Sequence, residues 1–165
     1  MILSGKQIRL GRHITQHKLD EQFQPAGVDL SVQSVWAFDE AGHIDLDNRK
    51  RKIPGSRPLA FAPDGTIHLG PGAYKIVFNE TVSIPADCAA MARSRSSILR
   101  MGASVQTALW DPGYTGRSEA LLVVSNSHGL TLHADARVAQ LVFIRLEKAD
   151  GGVYGGRYQG ENMKD

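Results

Sequence analysis

Only one cysteine, Cys88, occurs in the chain, so no internal disulfide can form and the sequence fits a reducing compartment. Long apolar runs are missing too: nothing approaches the roughly 20 residues that a membrane-crossing helix needs. The first residues lack the apolar core and small-residue cleavage site of a signal peptide. These absences predict a cytoplasmic protein with no membrane partner. Charge of one sign is also scarce, since 19 Lys and Arg stand against 17 Asp and Glu for a formal net charge of +2. The positive residues are scattered, which gives no ground for a nucleic-acid partner and leaves anionic small molecules open. The six histidines are dispersed without metal-ligand spacing, so no dedicated metal cage is expected.

What is present is a chain of 165 residues, one domain that can bury a core without metal or disulfide staples. Ser4 is placed to cap a short helix within Met1–Gln16 that Gly11 ends. After the turn at Pro25–Gly27, Val28–Val32 alternates as a strand with Asp29 opposite to Val28 and Leu30, and Val35–Phe38 extends it. The basic run Asn48–Lys52 reads as a solvated loop or edge strand. From Pro54 onward Gly and Pro turns separate short segments at Thr66–Leu69, Ala73–Phe78 and Thr81–Ile84, the last closed by Pro85. Ala86–Leu99, rich in Ala, Met and Leu, is the one later stretch expected to hold helical turns. Ala120–Val124, Gly129–His133 and Arg137–Leu146 read as three more strands. Such spacing predicts an all-β sandwich or barrel. Gly151, Gly152, Gly155 and Gly156 mark a flexible tail, giving a division into 1–150 and 151–165.

Two clusters within Ile84–Asn126 carry the chemistry. Arg93, Ser94, Arg95, Ser96, Ser97 and Arg100 crowd guanidinium forks and hydroxyl donors together, a composition suited to an anion and too polar for a plain core segment. About ten residues on, Trp110–Asp111–Pro112–Gly113–Tyr114 sets an acid between an apolar approach and a turn, beside aromatic rings. Taken alone, Asp111 reads as an ordinary turn aspartate capping its own backbone.

The order of these segments resembles the dUTPase and dCTP deaminase superfamily, and is closest in pattern to archaeal-type dUTP diphosphatases. "AGVDL" at Ala26–Leu30, "NETVSIP", "RSSILRMG", "WDPGYTGR", "ARVAQLVF" and the terminal "GRYQG" occur in the family's sequence and span nearly the whole chain. The resemblance implies a dUTPase-like β-sandwich or jelly-roll (β-clip) subunit, assembled as a homotrimer with active sites at the interfaces. It further implies that Arg95, Ser96, Ser97 and Arg100 line a triphosphate, joined by Gln140. Asp111 then activates the water that attacks the α-phosphate of dUTP. Tyr114 becomes the plate on which deoxyribose packs, excluding a ribose 2′-hydroxyl. Asp29 acts indirectly, near a Mg2+ that enters on the substrate's phosphates with no direct protein ligand. Arg157, Tyr158 and Gln159 belong to a tail that folds over the nucleotide, although this tail departs from the Ser/Thr-containing fifth motif of many trimeric dUTPases.

Two reactions occur in the superfamily. Deaminases carry a glutamate ten residues beyond the acid of the turn, which here is Leu121; the nearest acid, Glu119, is displaced by two residues, or roughly 6–7 Å along a strand. Leucine cannot shuttle protons, so the sequence favours dUTP hydrolysis to dUMP and pyrophosphate. The alternatives are a dCTP deaminase or bifunctional enzyme, and a nucleotide-binding regulator without turnover.

Overall fold

The computed structural model describes residues 1–148 and 150–163; Ala149 at the expected domain end and Lys164 and Asp165 in the expected tail lie outside them. In chain order the elements are α1 (Gly5–Leu10), β1 (Ile14–Thr15), a 3-10 turn at Asp20–Gln22, β2 (Phe23–Gln24), β3 (Gly27–Phe38), β4 (Ser56–Leu59), β5 (Thr66–Leu69), β6 (Gly72–Phe78) and β7 (Thr81–Ser83). They continue with β8 (Cys88–Ser94), α2 (Ser96–Arg100), β9 (Ala103–Gln106), β10 (Thr115–Gly116), β11 (Glu119–Val124), β12 (Leu130–His133) and β13 (Arg137–Arg145). The all-β jelly-roll class expected from the sequence is the class observed.

The main sheet runs β8-β13-β3-β6-β11-β9 and curls until its two ends approach. There Ser94 Oγ accepts from the Val105 N–H at 2.8 Å and donates to the Val105 carbonyl at 3.1 Å, stapling β8 to β9. Smaller groupings, β1-β7-β10 and β12-β5, complete the wrap. The enclosed face is apolar, with Leu30, Ile76, Phe78, Leu122, Leu141 and Phe143 at zero exposure. Burial of each such side chain contributes about 1.5–3 kcal/mol, which fixes the strand register.

Local chemistry explains the boundaries. Ser4 caps α1, accepting from the Gln7 N–H at 3.3 Å, while the Gln7 side chain returns to the Ser4 N–H at 2.9 Å. Gly27 opens β3 at φ +146°, where an added Cβ would lie 2.3 Å from the Leu141 carbonyl oxygen, so only glycine lets β3 approach β13 this closely.

One expectation is corrected. Cys88–Ser94, read within a stretch of helical turns, is strand β8, paired with β13 from Cys88↔Arg145 to Ser94↔Ala139. Alanine favours helix by intrinsic propensity. Here the alternation of buried Cys88 and Ala90 with exposed Met91, and the backbone partners offered by β13, outweigh it. Within this stretch the helix is α2 alone, which starts at Ser96. Among the described residues no helix is long and apolar enough to cross a membrane.

Candidate active site

The first group of candidates grows out of the sheet. Asp29 on β3 lies opposite Gln140 on β13, which in turn lies opposite Arg93 on β8, so three polar side chains share one row across three strands. Arg95 sits where β8 gives way to α2, its backbone N–H bonded to the Val138 carbonyl at 3.0 Å. From there its Nε reaches Asp29 Oδ2 at 3.1 Å and its Nη1 donates to the Arg137 carbonyl at 3.2 Å. Arg137 brings Nη1 to 3.4 Å from the same Oδ2 and donates to the Glu21 carbonyl at 3.2 Å. Asp29 is thus a 2% exposed acid under two guanidinium groups, at ion-pair distance from both but aligned for a full hydrogen bond with neither. Burial pushes its carboxyl above the usual range, against the pull of Arg95 and Arg137. Ser96, Ser97 and Arg100 are exposed on α2, and Arg93 lines a cavity of about 310 Å³ with Ser94, Leu99 and Ser104.

A buried network not foreseen in the sequence holds β3 in place. Glu80, fully buried in the β6–β7 turn, accepts from the Ser31 N–H at 2.9 Å, the Ser31 hydroxyl at 2.6 Å and Gln22 Nε2 at 2.6 Å. Gln22 Nε2 also donates to the Asp29 carbonyl at 2.8 Å. The carboxylate supplies the Ser31 N–H with an acceptor beside the irregularity in β3–β6 pairing between Val32 and Ser34. Burial raises the Glu80 pKa while these donors oppose it. The acid next to a strand in "NETVSIP" was the one available signal, and nothing local tied it to Ser31, 49 residues away in sequence.

The second group is built on a turn. Asp111–Tyr114 closes with the Tyr114 N–H on the Asp111 carbonyl at 3.2 Å, Pro112 and Gly113 filling the central positions with Gly113 at φ +81°. The turn is moored on both sides, by the Ala90–Trp110 pair at 2.9 Å in each direction and by the Ile84 N–H on the Tyr114 carbonyl at 2.8 Å. Asp111 is exposed, and among the described residues its carboxylate has no ion-pair or side-chain hydrogen-bond partner. It therefore does not cap its own turn and is free to meet a water.

Tyr114 is 5% exposed and forms part of a chain of hydrogen bonds: Trp110 Nε1 to Ser118 Oγ at 2.6 Å, Ser118 Oγ with the Tyr114 hydroxyl at 2.8 Å, and Tyr114 to Glu161 Oε1 at 2.7 Å. Burial, first, and the Glu161 carboxylate raise the Tyr114 pKa, so the phenol stays neutral. Burial likewise raises Glu161, with Tyr114 opposing and Glu119 adding to the rise.

Glu161 belongs to a tail that lies along this turn. The Tyr154 N–H meets the Pro112 carbonyl at 2.6 Å, the Gly160 N–H the Thr115 carbonyl at 2.8 Å and the Arg117 N–H the Glu161 carbonyl at 3.0 Å. Gln159 accepts from the Thr115 N–H at 3.0 Å and donates to the Gly113 carbonyl at 3.1 Å. Tyr158 lines a cavity of about 100 Å³ with Asp111, Tyr114 and Tyr154, and Arg157 is exposed. The roles of Glu161 and Ser118 had no sequence signal beyond their residue types.

Among the described residues, no hydrogen bond or ion pair joins the side chains of the Asp29–Arg95 group to those of the Asp111–Tyr114 group. The cavity holding Arg93 and Ser94 and the cavities holding Asp111 share no lining residue. Glu119, the acid weighed for deamination, is paired with Lys75 at 3.1 Å, and Leu121 lies on the same face of β11.

The profile of the dCTP deaminase-like family matches residues 2–146. The probable deoxyuridine 5′-triphosphate nucleotidohydrolase of Methanosarcina mazei is 47% identical over 143 residues, covering 87% of this chain and 84% of that one. The probable enzyme of the same name from Methanosarcina acetivorans is 43% identical over 169 residues, 99% of each chain. The deoxyuridine 5′-triphosphate nucleotidohydrolase of Methanocaldococcus jannaschii is 39% identical over 142 residues, 86% of this chain and 89% of that one. In fold, the chain is similar to the crystal structure of 2′-deoxycytidine 5′-triphosphate deaminase from Agrobacterium tumefaciens, with TM-score 0.66, 23% identity and 86% of this chain covered. It spans about half, 47%, of that longer chain.

Proposed function

Since the chain belongs to the dCTP deaminase-like family, we propose that it is a dUTP nucleotidohydrolase, converting dUTP and water to dUMP and pyrophosphate. Relatives matched over most of their length bear that name. One observation carries the choice of reaction within the family. Among the described residues Asp111 stands without a side-chain partner at a moored turn, whereas the strand position that deamination would need to be acidic is Leu121 and Glu119, two residues before it, is ion-paired with Lys75.

In this reading a water hydrogen-bonded to Asp111 attacks the α-phosphorus in line. The new P–O bond forms as the bond to the bridging oxygen breaks, Asp111 takes the water's proton, and pyrophosphate leaves. Arg95, with Ser96, Ser97, Arg100 and Gln140, meets the charge on the phosphates. Tyr114 backs the deoxyribose, and the tail with Arg157, Tyr158 and Gln159 excludes water. Among the described residues no three of His, Cys, Asp or Glu lie close enough to hold a metal ion. In this reading Mg2+ arrives on the triphosphate, where it would neutralise phosphate charge. The reading includes a homotrimer in which neighbouring subunits supply the phosphate residues and the Asp111 turn, with Ser96, Ser97 and Arg100 exposed on α2 and Asp111 exposed on its turn. The reading places the protein in the cytoplasm, a compartment that keeps thiols such as the buried Cys88 reduced.

The test is incubation of the purified protein with magnesium and either dUTP or dCTP, following pyrophosphate and ammonia in parallel. Pyrophosphate from dUTP without ammonia from dCTP is expected. Ammonia from dCTP would make Glu119 a working base and the protein a deaminase; binding of dUTP without pyrophosphate would make it a regulator.

A further inference from the structure

Asp29 is the most deeply buried acid of the proposed site, and its surroundings are cationic. Its Oδ2 faces Arg95 Nε at 3.1 Å and Arg137 Nη1 at 3.4 Å. Gln22 fixes its carbonyl and Gln140 lies across the ladder from it. An acid that orders the water shell of a metal ion must turn a carboxylate oxygen toward that ion, in solvent. Asp29 turns Oδ2 inward beneath two arginines and only 2% of the residue is exposed, which fits that task poorly.

It fits another. A guanidinium has five N–H donors in a planar fork, and a carboxylate on one edge leaves the remaining donors for a second anion. Arg95 turns Nε toward Asp29 at ion-pair distance and donates Nη1 to the Arg137 carbonyl, and among the described residues Nη2 has no partner. Arg137 donates Nη1 to the Glu21 carbonyl and holds the same nitrogen at ion-pair distance from Asp29, and among the described residues Nε and Nη2 have no partner. Both side chains keep close to a third of their surface exposed, at 30% and 29%, while the acid between them is sealed. One acid between two arginines leaves a net positive charge. Long flexible side chains anchored in advance lose less freedom when an anion arrives.

We propose that Asp29 is a positioning residue for Arg95 and Arg137, holding the two guanidinium groups at a fixed spacing toward the substrate's phosphates, and that it does not act on magnesium or its waters. Arg137 thereby becomes a second phosphate-facing arginine. The inference rests on the proposed nucleotide site.

The experiment is calorimetric binding of a non-hydrolysable dUTP analogue with an α,β-imido bridge, in EDTA and in magnesium, to the full-length chain and its variants. Asp29→Asn should weaken binding in EDTA roughly tenfold, and Asp29→Asn combined with Arg95→Ala should lose little more than Arg95→Ala alone, as expected for coupled residues. The magnesium concentration giving half-maximal turnover should be the same in Asp29→Asn and wild type. Normal binding of Asp29→Asn in EDTA together with a raised magnesium requirement would overturn the inference and leave the dUTP reading intact. Failure of the wild-type protein to bind the analogue in either buffer would overturn both. If Asp29→Asn does not form the native sheet, Arg137→Ala decides: a loss of triphosphate affinity in EDTA is expected, and an unchanged affinity would overturn the inference.

Discussion

The two halves of the proposed site are held by different forces. The half around Asp29, Arg95, Arg137 and Gln140 hangs from β3, β8 and β13, and its order comes from ladder register and charge. The half around Asp111 and Tyr114 stands on a four-residue turn clamped by the tail, and its order comes from backbone bonds and aromatic burial. In the first half the acid is sealed under cations; in the second it is exposed and unpartnered. The difference separates two tasks. A multiply charged phosphate chain is met by donors fixed in advance, while a water must be polarised by an acid that is not already engaged.

The sharpest way to break this contrast is to remove the free acid. Asp111→Asn should lower kcat about 10²–10⁴-fold, the range for a positioned general base, while dUTP binding persists. A parallel loss of binding would place Asp111 among the substrate's anchors. Next in size is the clamp. Truncation after Gly152 removes Gln159, Gly160 and Glu161 from the turn and should cost up to roughly 10²-fold in turnover through misplacement. The oligomeric state should stay the same; a change in it by light scattering would make the tail part of the assembly.

Smaller effects are expected from the ring that the clamp covers. Tyr114→Ala should reduce the preference for dUTP over UTP roughly tenfold. An unchanged ratio of kcat/KM values would remove Tyr114 from the sugar site. The smallest effect is a pH slope in the sheet-borne half. Burial raises Glu80 in the native state above its ordinary value. In the window between the two values the native state therefore binds more protons than the unfolded one, and Glu80's contribution to stability falls as pH rises. Glu80→Gln, which does not titrate, should show a shallower decline over that window in denaturant unfolding; parallel slopes would mean that Glu80 titrates alike in both states.

The two halves also differed in how far they could be read from the residues. The turn was legible because its determinants are local: Pro112 and Gly113 sit where a type II turn wants them. β3 and β13 were legible by alternation, and the placement of Asp29 opposite Val28 and Leu30 follows from the two-residue period of a strand. What escaped notice depends on partners distant in sequence. Composition pointed to helix at Cys88–Ser94 because the deciding bonds come from β13. Glu80 could not be tied to Ser31, nor Glu161 to Tyr114, 47 residues earlier, without the fold that joins them. The motif order carried both halves of the site, but not the pairing of Asp29 with Arg137 across the sheet.

The claim that one nucleotide site needs both halves, from different subunits, is tested most directly by complementation. Chains carrying Asp111→Asn and chains carrying Arg95→Ala, each inactive alone, are co-expressed and the mixed assembly is purified and assayed with dUTP. With random mixing around a ring of heterologous contacts, about one quarter of the sites would combine an intact Asp111 turn with an intact Arg95, and activity near that fraction of wild type is predicted. Mixed assemblies that remain as inactive as either parent would contradict a shared site.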